Sequence, residues 1–187
     1  EEIVGAIADF AMENQITIID GGTESGVMQM MGEARRQRKG AFTLVGVSPA
    51  GKISYPGYVN PNAEAELEDS HSAFVLVDTA EWGGESEMLV RLPKALASPQ
   101  YVVCGVLING GKIAAQDVIF AVSRELPILV LEGSGRFADE VATAFKTGRA
   151  NQALLRAILA GGDIQLVSTL DGPAAMRAKL SSRYHKG

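Results

Sequence analysis

The chain has 187 residues, 47% of them hydrophobic, which predicts one compact domain over residues 1–187 with a full-sized core. Its formal net charge of −5 leaves no broad basic face for a nucleic acid, and no uncharged apolar run is long enough for membrane insertion. The one cysteine, Cys104, can form no internal disulfide, so we expect a cytoplasmic protein.

Apolar, strand-like runs alternate with amphipathic segments, and the first element is a helix in "EEIVGAIADFAMENQ". A strand in "ITII" and a second helix follow, then strands in "FTLVGV", "AFVLV", "YVVCGVLI", "ILVLE" and "IQLV". Further helices are predicted at 85–97, at 135–146, within 147–163 and at the C-terminus. Strands that are apolar on both faces and separated by helices form a parallel sheet. The predicted fold class is therefore α/β: a Rossmann-like three-layer sandwich, with a mostly parallel sheet, helices on both faces and a leading strand expected before Glu1.

A long excursion with three prolines follows one of these strands, at residues 48–71. Long loops at strand ends usually face a ligand, and ligands of an open parallel sheet bind at its carboxyl edge. Four turns are predicted at that edge: "IDGGTESG", "VGVSPAGK", "VDTAEWGGESE" and "LEGSGRFADE". They supply backbone N–H groups and hydroxyl groups, which suit phosphate or ribose, and few groups for proton transfer.

The glycine spacing excludes two common nucleotide-binding motifs. "GGTESG" is not GxGxxG, "GSGRFADE" has Ala138 where the third glycine would fall, and no GxxxxGK[ST] occurs. The acid expected about twenty residues after the first turn, which would hold a ribose, is also absent. A standard dehydrogenase is therefore disfavoured, and a P-loop kinase in its usual form is excluded.

Taken in order, "IDGGTESGVMQMMGEA", "VGVSPAG", "FVLVD", "WGGESEMLVRL" and "ILVLEGSGRFADEVA" resemble the SLOG superfamily, most closely its melastatin-channel-like branch. That branch includes the cytoplasmic N-terminal homology region of melastatin-type transient receptor potential (TRPM) channels and small prokaryotic relatives. The resemblance extends from Ile16 to Phe145. It implies a Rossmann-like domain that binds or senses a nucleotide-derived small molecule related to ADP-ribose or NAD, with no metal and no further cofactor required.

Carried over by position, the resemblance implies phosphate or ribose contacts in the first turn and a facing phosphate loop in the last. With the two middle turns, the candidate ligand-binding residues are Gly21, Gly22, Thr23, Ser25, Gly26, Ser48, Pro49, Gly83, Gly84, Glu132, Gly133, Ser134, Gly135 and Arg136. We expect binding to depend most on Arg136, because its guanidinium can give a diphosphate a forked, permanently charged donor.

Both outer turns have structural alternatives. The first could be a plain connection in which Thr23 or Ser25 caps the next helix. Arg136 could be tied to Asp139 or Glu140 on its own helix. A separate alternative is a scaffold domain with a vestigial pocket, whose role is assembly; a homo-oligomer is possible.

An enzymatic alternative rests on "WGGESE". It corresponds in position to the PGGxGTxxE motif of a related branch, the phosphoribohydrolases, whose glutamate acts at an N-glycosidic bond. Glu85 or Glu87 could stabilise an oxocarbenium-like centre or activate water, and the substrate would be a nucleoside 5′-monophosphate. An acid at a helix start more often complements the dipole, so we expect no turnover.

Four other side chains are predicted to be structural or solvated. Cys104 is predicted to be a small buried hydrophobe and Trp82 a rim aromatic residue, with adenine stacking as the alternative for Trp82. His71 is predicted to be a loop residue outside any metal-ligand spacing, and His185 a solvated one.

Overall fold

The structure is a computed structural model that describes residues 1–98 and 101–184, so His185 lies outside the described residues. The chain divides into two compact units, Glu1–Leu89 and Val90–Gly187. Each unit has its own sheet of three parallel strands and its own helices. The predicted α/β class is confirmed, whereas one domain over residues 1–187 stays a prediction. No helix in the described part of the chain is long and apolar enough to cross a membrane.

The first unit is built on parallel strands in the order β1-β2-β5. Its elements are α1 (Glu2–Glu13), β1 (Ile18–Asp20), α2 (Gly26–Gln37), β2 (Leu44–Pro49), β3 (Ile53–Ser54), β4 (Ala65–Glu66) and β5 (Ala73–Val77), and α3 (Ser86–Leu96) begins at its end. Asp20 lies beside Gly46, and Pro49 beside Val77, so the carboxyl ends of the three strands meet at one edge. All residues of β2 are buried, as expected of a central strand.

The excursion predicted at residues 48–71 carries more structure than a loop. Its strands β3 and β4 pair in parallel, with Ile53 opposite Ala65, and Ile53 is fully buried. Leu67 forms an isolated antiparallel bridge with Thr23. The excursion therefore folds back onto the turn that follows β1.

The second unit is built on parallel strands in the order β6-β7-β8. Its elements are β6 (Gly105–Ile108), α4 (Lys112–Ser123), β7 (Ile128–Glu132), α5 (Arg136–Thr147), α6 (Ala153–Gly161), β8 (Ile164–Ser168) and α7 (Gly172–Tyr184). Buried Val130, Val141 and Ile158 belong to its core. The strand predicted from Tyr101 begins only at Gly105, which pairs with Ile128, the first residue of β7. The residue before Ile128 is Pro127, which has no N–H to extend the hydrogen bonding between β6 and β7.

Candidate functional site

The turn that follows β1 is held by tight packing and by hydrogen bonds. Gly22 has a φ of +68°, and a Cβ atom there would lie 2.6 Å from the Cα atom of Gly46, so only glycine fits. Oδ1 of Asp20 accepts a hydrogen bond from the Gly22 amide at 2.8 Å. The buried Ser48 hydroxyl donates to the carbonyl of Gly21 at 2.5 Å. Ser48, a predicted ligand contact, therefore uses its hydroxyl group to support the turn.

The first turn of α2 leaves its backbone amides open. Ser25 is the N-cap residue, but its side chain does not cap the helix and its hydroxyl lies 3.1 Å from that of Thr23. The predicted capping alternative is therefore wrong. The first amides of a helix have no intrahelical acceptor, and within residues 1–98 and 101–184 no acceptor takes the amides of Gly26, Val27 and Met28. Gly26 is exposed, so these N–H groups and the positive helix end are accessible to a ligand.

The turn between β5 and α3 holds both candidate catalytic acids. Gly83 has a φ of +91°, and a Cβ atom on Gly84 would collide with the hydroxyl of Thr79. The buried carboxylate of Glu85 accepts a hydrogen bond from the Gly83 amide at 2.8 Å. Burial raises the pKa of Glu85 above its ordinary value, although hydrogen bonds from backbone amides oppose the rise. Glu87 is exposed in the first turn of α3, so the structure separates the two acids by environment.

The excursion borders an open cavity of about 610 Å³. Lys52 donates to one carboxylate oxygen of Glu64 at 2.6 Å, and the indole N–H of Trp82 donates to the other at 2.7 Å. Tyr58 and Asn60 line the cavity together with Lys52 and Glu64. Its volume falls within the range of small-molecule pockets, about 300–1,000 Å³. The hydrogen bond to Glu64 connects Trp82 to the excursion. Pro49, a predicted ligand contact at the end of β2, pairs with Val77 and is fully buried.

A buried histidine, His71, lies next to the turn that follows β1. The sequence predicted only a loop residue at this position. The side chain of His71 has no exposed surface, and its ring stacks on Phe74 with centroids 5.3 Å apart. Its Nε2 atom is 2.8 Å from Oδ1 of Asp20, and its Nδ1 atom is 2.7 Å from Oε2 of Glu68. The sequence signal is the acidic run before His71; it does not point to Asp20, which lies 51 positions away.

The turn that follows β7 is closed by side-chain hydrogen bonds. The Gly133 amide donates to Oδ1 of Asp139 at 2.7 Å. The Ser134 hydroxyl donates to the carbonyl of Leu131 at 2.6 Å and accepts from the Asn109 amide at 2.8 Å. Side chains within the second unit therefore determine the shape of this turn.

Sequence reasoning missed a fifth turn, "NGG" at residues 109–111, between β6 and α4. Asn109 and Gly110 both have positive φ angles. The amide of Phe137 donates to the carbonyl of Gly110 at 3.3 Å, and that of Ala138 donates to the carbonyl of Asn109 at 2.9 Å. Two amides in the first turn of α5 are thus occupied by this neighbouring turn. The glycine pair directly after an apolar strand was the signal that could have revealed it.

Arg136 is the first residue of α5, and it is exposed with a φ of +49°. Its guanidinium lies over Gly111, where a Cβ atom would come within 2.7 Å of Nη2. Glu132, the candidate at the end of β7, instead pairs with Lys146 at 2.5 Å. No carboxylate in the described ranges 1–98 and 101–184 pairs with Arg136. The alternative in which Asp139 or Glu140 pairs with it on the same helix is therefore not found, and Asp139 accepts from the Gly133 amide instead.

Parallel strands with glycine-rich turns at their carboxyl ends define the class of this protein as a Rossmann-like α/β protein. The family model described as "SLOG in TRPM, prokaryote" matches residues 2–178. The chain belongs to this family, and the predicted relation to TRPM channels is confirmed.

Curated relatives at low identity are TRPM channels. Transient receptor potential cation channel subfamily M member 2 of Mus musculus is 28% identical over 161 residues, covering 67% of this chain and 11% of that protein. Transient receptor potential cation channel trpm of Drosophila melanogaster is 29% identical over 161 residues, covering 69% of this chain and 8% of that protein. The chain therefore corresponds to about a tenth of the length of these channels.

Solved structures show the same fold at still lower identity. The structural genomics target TM1055 is 18% identical with a TM-score of 0.58, covering 96% of this chain and 86% of that chain. The molybdenum cofactor binding protein of Rippkaea orientalis is 13% identical with a TM-score of 0.58, covering 96% and 85%. The molybdenum cofactor carrier protein of Chlamydomonas reinhardtii is 13% identical with a TM-score of 0.55, covering 96% and 84%. These likenesses confirm the Rossmann-like fold.

Proposed function

We propose that this chain binds, and thereby senses, a nucleotide-derived small molecule of the ADP-ribose or NAD-related type. The observation that carries the proposal is the open first turn of α2. Among the described residues, no acceptor takes the amides of Gly26, Val27 and Met28, and the same turn carries the hydroxyls of Thr23 and Ser25, 3.1 Å apart. Directed N–H groups at the positive end of a helix suit a phosphate group.

In the second unit, Arg136 is by itself a candidate anion contact. Its guanidinium is exposed and, within the described residues, unpaired, so binding an anion requires no internal ion pair to break. A forked, permanently charged donor suits two phosphate oxygens better than a point charge does. The donors of each unit, taken separately, are of the type that suits a phosphate-bearing ligand.

The similar proteins support small-molecule binding in general terms. Two of the solved structures are described as molybdenum cofactor binding or carrier proteins. The choice of an ADP-ribose-like ligand for this chain rests instead on its family and on the phosphate-type donors of its turns.

The test is a thermal shift and calorimetric titration with ADP-ribose, NAD, AMP and adenosine. A ligand at a hundredfold above its dissociation constant adds about 2.7 kcal/mol to the stability of the folded state. We expect ADP-ribose to raise the melting temperature by several degrees and adenosine, which has no phosphate, to raise it less. No shift with any nucleotide at millimolar concentration would contradict the proposal.

The Ser25→Asp variant locates the ligand. A carboxylate at the N-cap position would accept from the open amides of α2, so we expect stability to rise by about 1 kcal/mol. The same carboxylate would occupy and repel the phosphate site, so affinity for ADP-ribose should fall by about tenfold or more, that is by about 1.4 kcal/mol. Ser25→Ala is the matched control: it removes the hydroxyl without adding a charge, so it should lose less affinity than Ser25→Asp. Unchanged affinity in Ser25→Asp would remove the α2 turn from the site.

Hydrolysis of an N-glycosidic bond is the second candidate function, and one observation favours Glu85 over Glu87 for it. The Glu85 carboxyl is buried with a raised pKa, which is the condition of a general acid, whereas Glu87 is exposed. If this function holds, nucleoside monophosphates should release free base at a rate that collapses in Glu85→Gln and persists in Glu87→Gln. We expect no release from the parent protein.

The proposal also covers the location of the protein, its partners and its oligomeric state. We expect the protein to act in the cytoplasm without nucleic acid partners, and a homo-oligomer is possible. A role in assembly with a vestigial pocket is the outcome to be adopted if every nucleotide fails to bind.

A further inference from the structure

Asp20, Glu68 and His71 of the first unit form a hydrogen-bonded cluster whose chemistry the ligand proposal does not use. Both ring nitrogens of His71 face a carboxylate oxygen, at 2.8 Å for Asp20 and 2.7 Å for Glu68. Two hydrogen bonds to two carboxylates require two N–H groups, and only the protonated imidazolium has both. A neutral ring would direct a lone pair at one carboxylate, so the geometry depends on one additional proton.

This cluster is connected directly to the turn that follows β1. The Oδ1 atom of Asp20 accepts from His71 and also from the Gly22 amide, at 2.8 Å in each case. The Glu68 amide donates to the carbonyl of Gly22 at 2.9 Å, and the Glu24 amide donates to the carbonyl of Glu66 at 2.9 Å. Residues 66–71, which we call the strap, thus pair with the turn through their backbone and anchor it through His71.

The surroundings leave the Asp20 carboxylate dependent on these bonds. Its second oxygen, Oδ2, is buried and has no hydrogen-bond partner in the described part of the chain. No group of His, Cys, Asp and Glu side chains within residues 1–98 and 101–184 is arranged to hold a metal ion there. If His71 lost its proton, the bond to Asp20 or the bond to Glu68 would become a repulsive contact.

The other elements packed against the cluster contribute few charges. Phe74 of β5 stacks on the ring, and Gly32 of α2 lies so close to the Glu68 carboxylate that a side chain there would collide with it. Arg36 of α2 interacts electrostatically with Glu68 and with Asp69 of the strap. Asp20 and Glu68 are the acids that contact the ring, and Arg35 of α2 donates to the Ser70 carbonyl of the strap at 2.7 Å. Arg35 and Arg36 keep their charge at every pH of interest.

We propose that protonated His71 is a positioning residue for the α2 turn: it holds Asp20 and the strap in the geometry that opens the α2 amides, so ligand binding weakens when the ring loses its proton. The ligand part of this inference rests on the proposed function. Burial by itself would lower the pKa of His71, but its hydrogen bonds to Asp20 and Glu68, and the charges of both, outweigh burial and raise the pKa above its ordinary value. The contribution of His71 to the order of the turn is therefore complete below the ordinary histidine pKa of about 6.5 and is lost as pH rises through the raised pKa of the folded protein.

Glu68→Gln is the decisive variant. Its carboxamide can donate to an unprotonated Nδ1 atom while Nε2–H of the neutral ring still donates to Asp20. The link from the strap to Asp20 is thereby retained without the additional proton, whereas the Ser70 amide, which donates to the same Glu68 oxygen at 3.1 Å, loses its acceptor at every pH alike. His71→Gln removes the bridge between the two carboxylates, and Asp163→Asn, which breaks the ion pair with Arg183 in the second unit, controls for general destabilisation.

The experiment measures amide hydrogen exchange of residues 22–24 and 68 in the unliganded proteins, together with ADP-ribose affinity, between about pH 6 and pH 9. In the parent protein, we expect protection to fall with rising pH beyond the intrinsic change in exchange rate, and affinity to fall about fivefold or more. Glu68→Gln should show neither dependence, His71→Gln should bind weakly throughout, and Asp163→Asn should behave as the parent does.

Two results would overturn the inference: protection that does not change with pH in the parent, or the same pH dependence in Glu68→Gln as in the parent. If the parent binds no ADP-ribose at any pH, the proposed function fails separately. The exchange data on the unliganded proteins then decide the role of His71 alone.

Discussion

The turns after β1 and after β7 are both rich in glycine, yet they use their backbone donors in opposite ways. After β1, the amides of Gly26, Val27 and Met28 at the start of α2 have no protein acceptor among the described residues. After β7, the amides of Phe137 and Ala138 at the start of α5 donate to carbonyls of the neighbouring turn. In the second unit, an exposed side chain takes the place of the open helix end as the candidate contact for an anion.

The difference shows that a glycine-rich turn does not by itself make an anion site. Whether helix amides remain free depends on which segment packs beside the turn. In the second unit that segment is the turn at residues 109–111, and Arg136 provides the charge. In the first unit the strap pairs with residues 22–24 and leaves the start of α2 open.

The largest expected effect comes from filling the tight space after β1. In Gly22→Ala, the new Cβ atom would lie 2.6 Å from the Gly46 backbone at a φ of +68°, so we expect a loss of roughly 3–5 kcal/mol in unfolding free energy. The matched Gly135→Ala has a φ of +99°, but its nearest atom, on Asn109, is 3.8 Å away, so we expect only about 1–3 kcal/mol. Urea denaturation measures both, and equal losses would show that packing does not distinguish the two turns.

The second effect concerns affinity. Arg136→Ala should weaken ADP-ribose binding by roughly 1.5–3 kcal/mol, the range for hydrogen bonds to charged groups. Its unfolding free energy should change little, because the guanidinium has no ion-pair partner within the described residues. Arg136→Lys should recover only part of the affinity, because a point charge replaces the fork. Calorimetric titration beside chemical denaturation tests this, and parent-like affinity in Arg136→Ala would exclude the residue from the site.

The third effect is a pH dependence of stability that originates in the first unit. Because the pKa of folded His71 is raised, its contribution to stability is complete below the unfolded value of about 6.5 and is lost as pH rises through the folded pKa. Each unit by which the pKa is raised corresponds to about 1.4 kcal/mol. Denaturation from pH 6 to 8 should therefore show a decline in the parent that is absent from Glu68→Gln; nearer pH 9 the Cys104 thiol, whose pKa burial raises, adds a decline that both proteins share. A decline of the same size in both proteins would assign it to other groups.

The smallest effect compares one serine from each turn. Ser134 makes two hydrogen bonds through its hydroxyl, so Ser134→Ala should lower the unfolding free energy by about 1–2 kcal/mol. Ser25 does not cap its helix, so Ser25→Ala should change it by less than about 0.5 kcal/mol. A larger loss in Ser25→Ala than in Ser134→Ala would reverse the comparison.

Much of the fold could be predicted because its signals are local. The strands predicted in "AFVLV" and "ILVLE" correspond to β5 (Ala73–Val77) and β7 (Ile128–Glu132). The strand predicted from Tyr101 was too long because its limit depends on Pro127 before the neighbouring strand. The positions of the glycine-rich turns after β1 and after β7 followed in the same way from apolar runs that end shortly before glycine.

The state of the donors in those turns could not be predicted, because it depends on contacts between distant segments. The closure of the α5 start requires residues 109–110 to meet residues 137–138. The environment of His71 requires Asp20, which lies 51 positions away. Nothing in the short motifs "GGTESG" or "EGSGRF" encodes either contact.

By itself, the sequence determined the α/β class, the parallel strands, the carboxyl-edge turns and the family, because hydrophobic periodicity and glycine positions act over a few residues. Tertiary structure decided which helix start stays open, that Arg136 stands without an ion-pair partner in the described residues and that His71 bridges two carboxylates. The physical reason is that a hydrogen bond forms only when both partners are brought within about 3 Å, and for these groups the folded backbone supplies the partner.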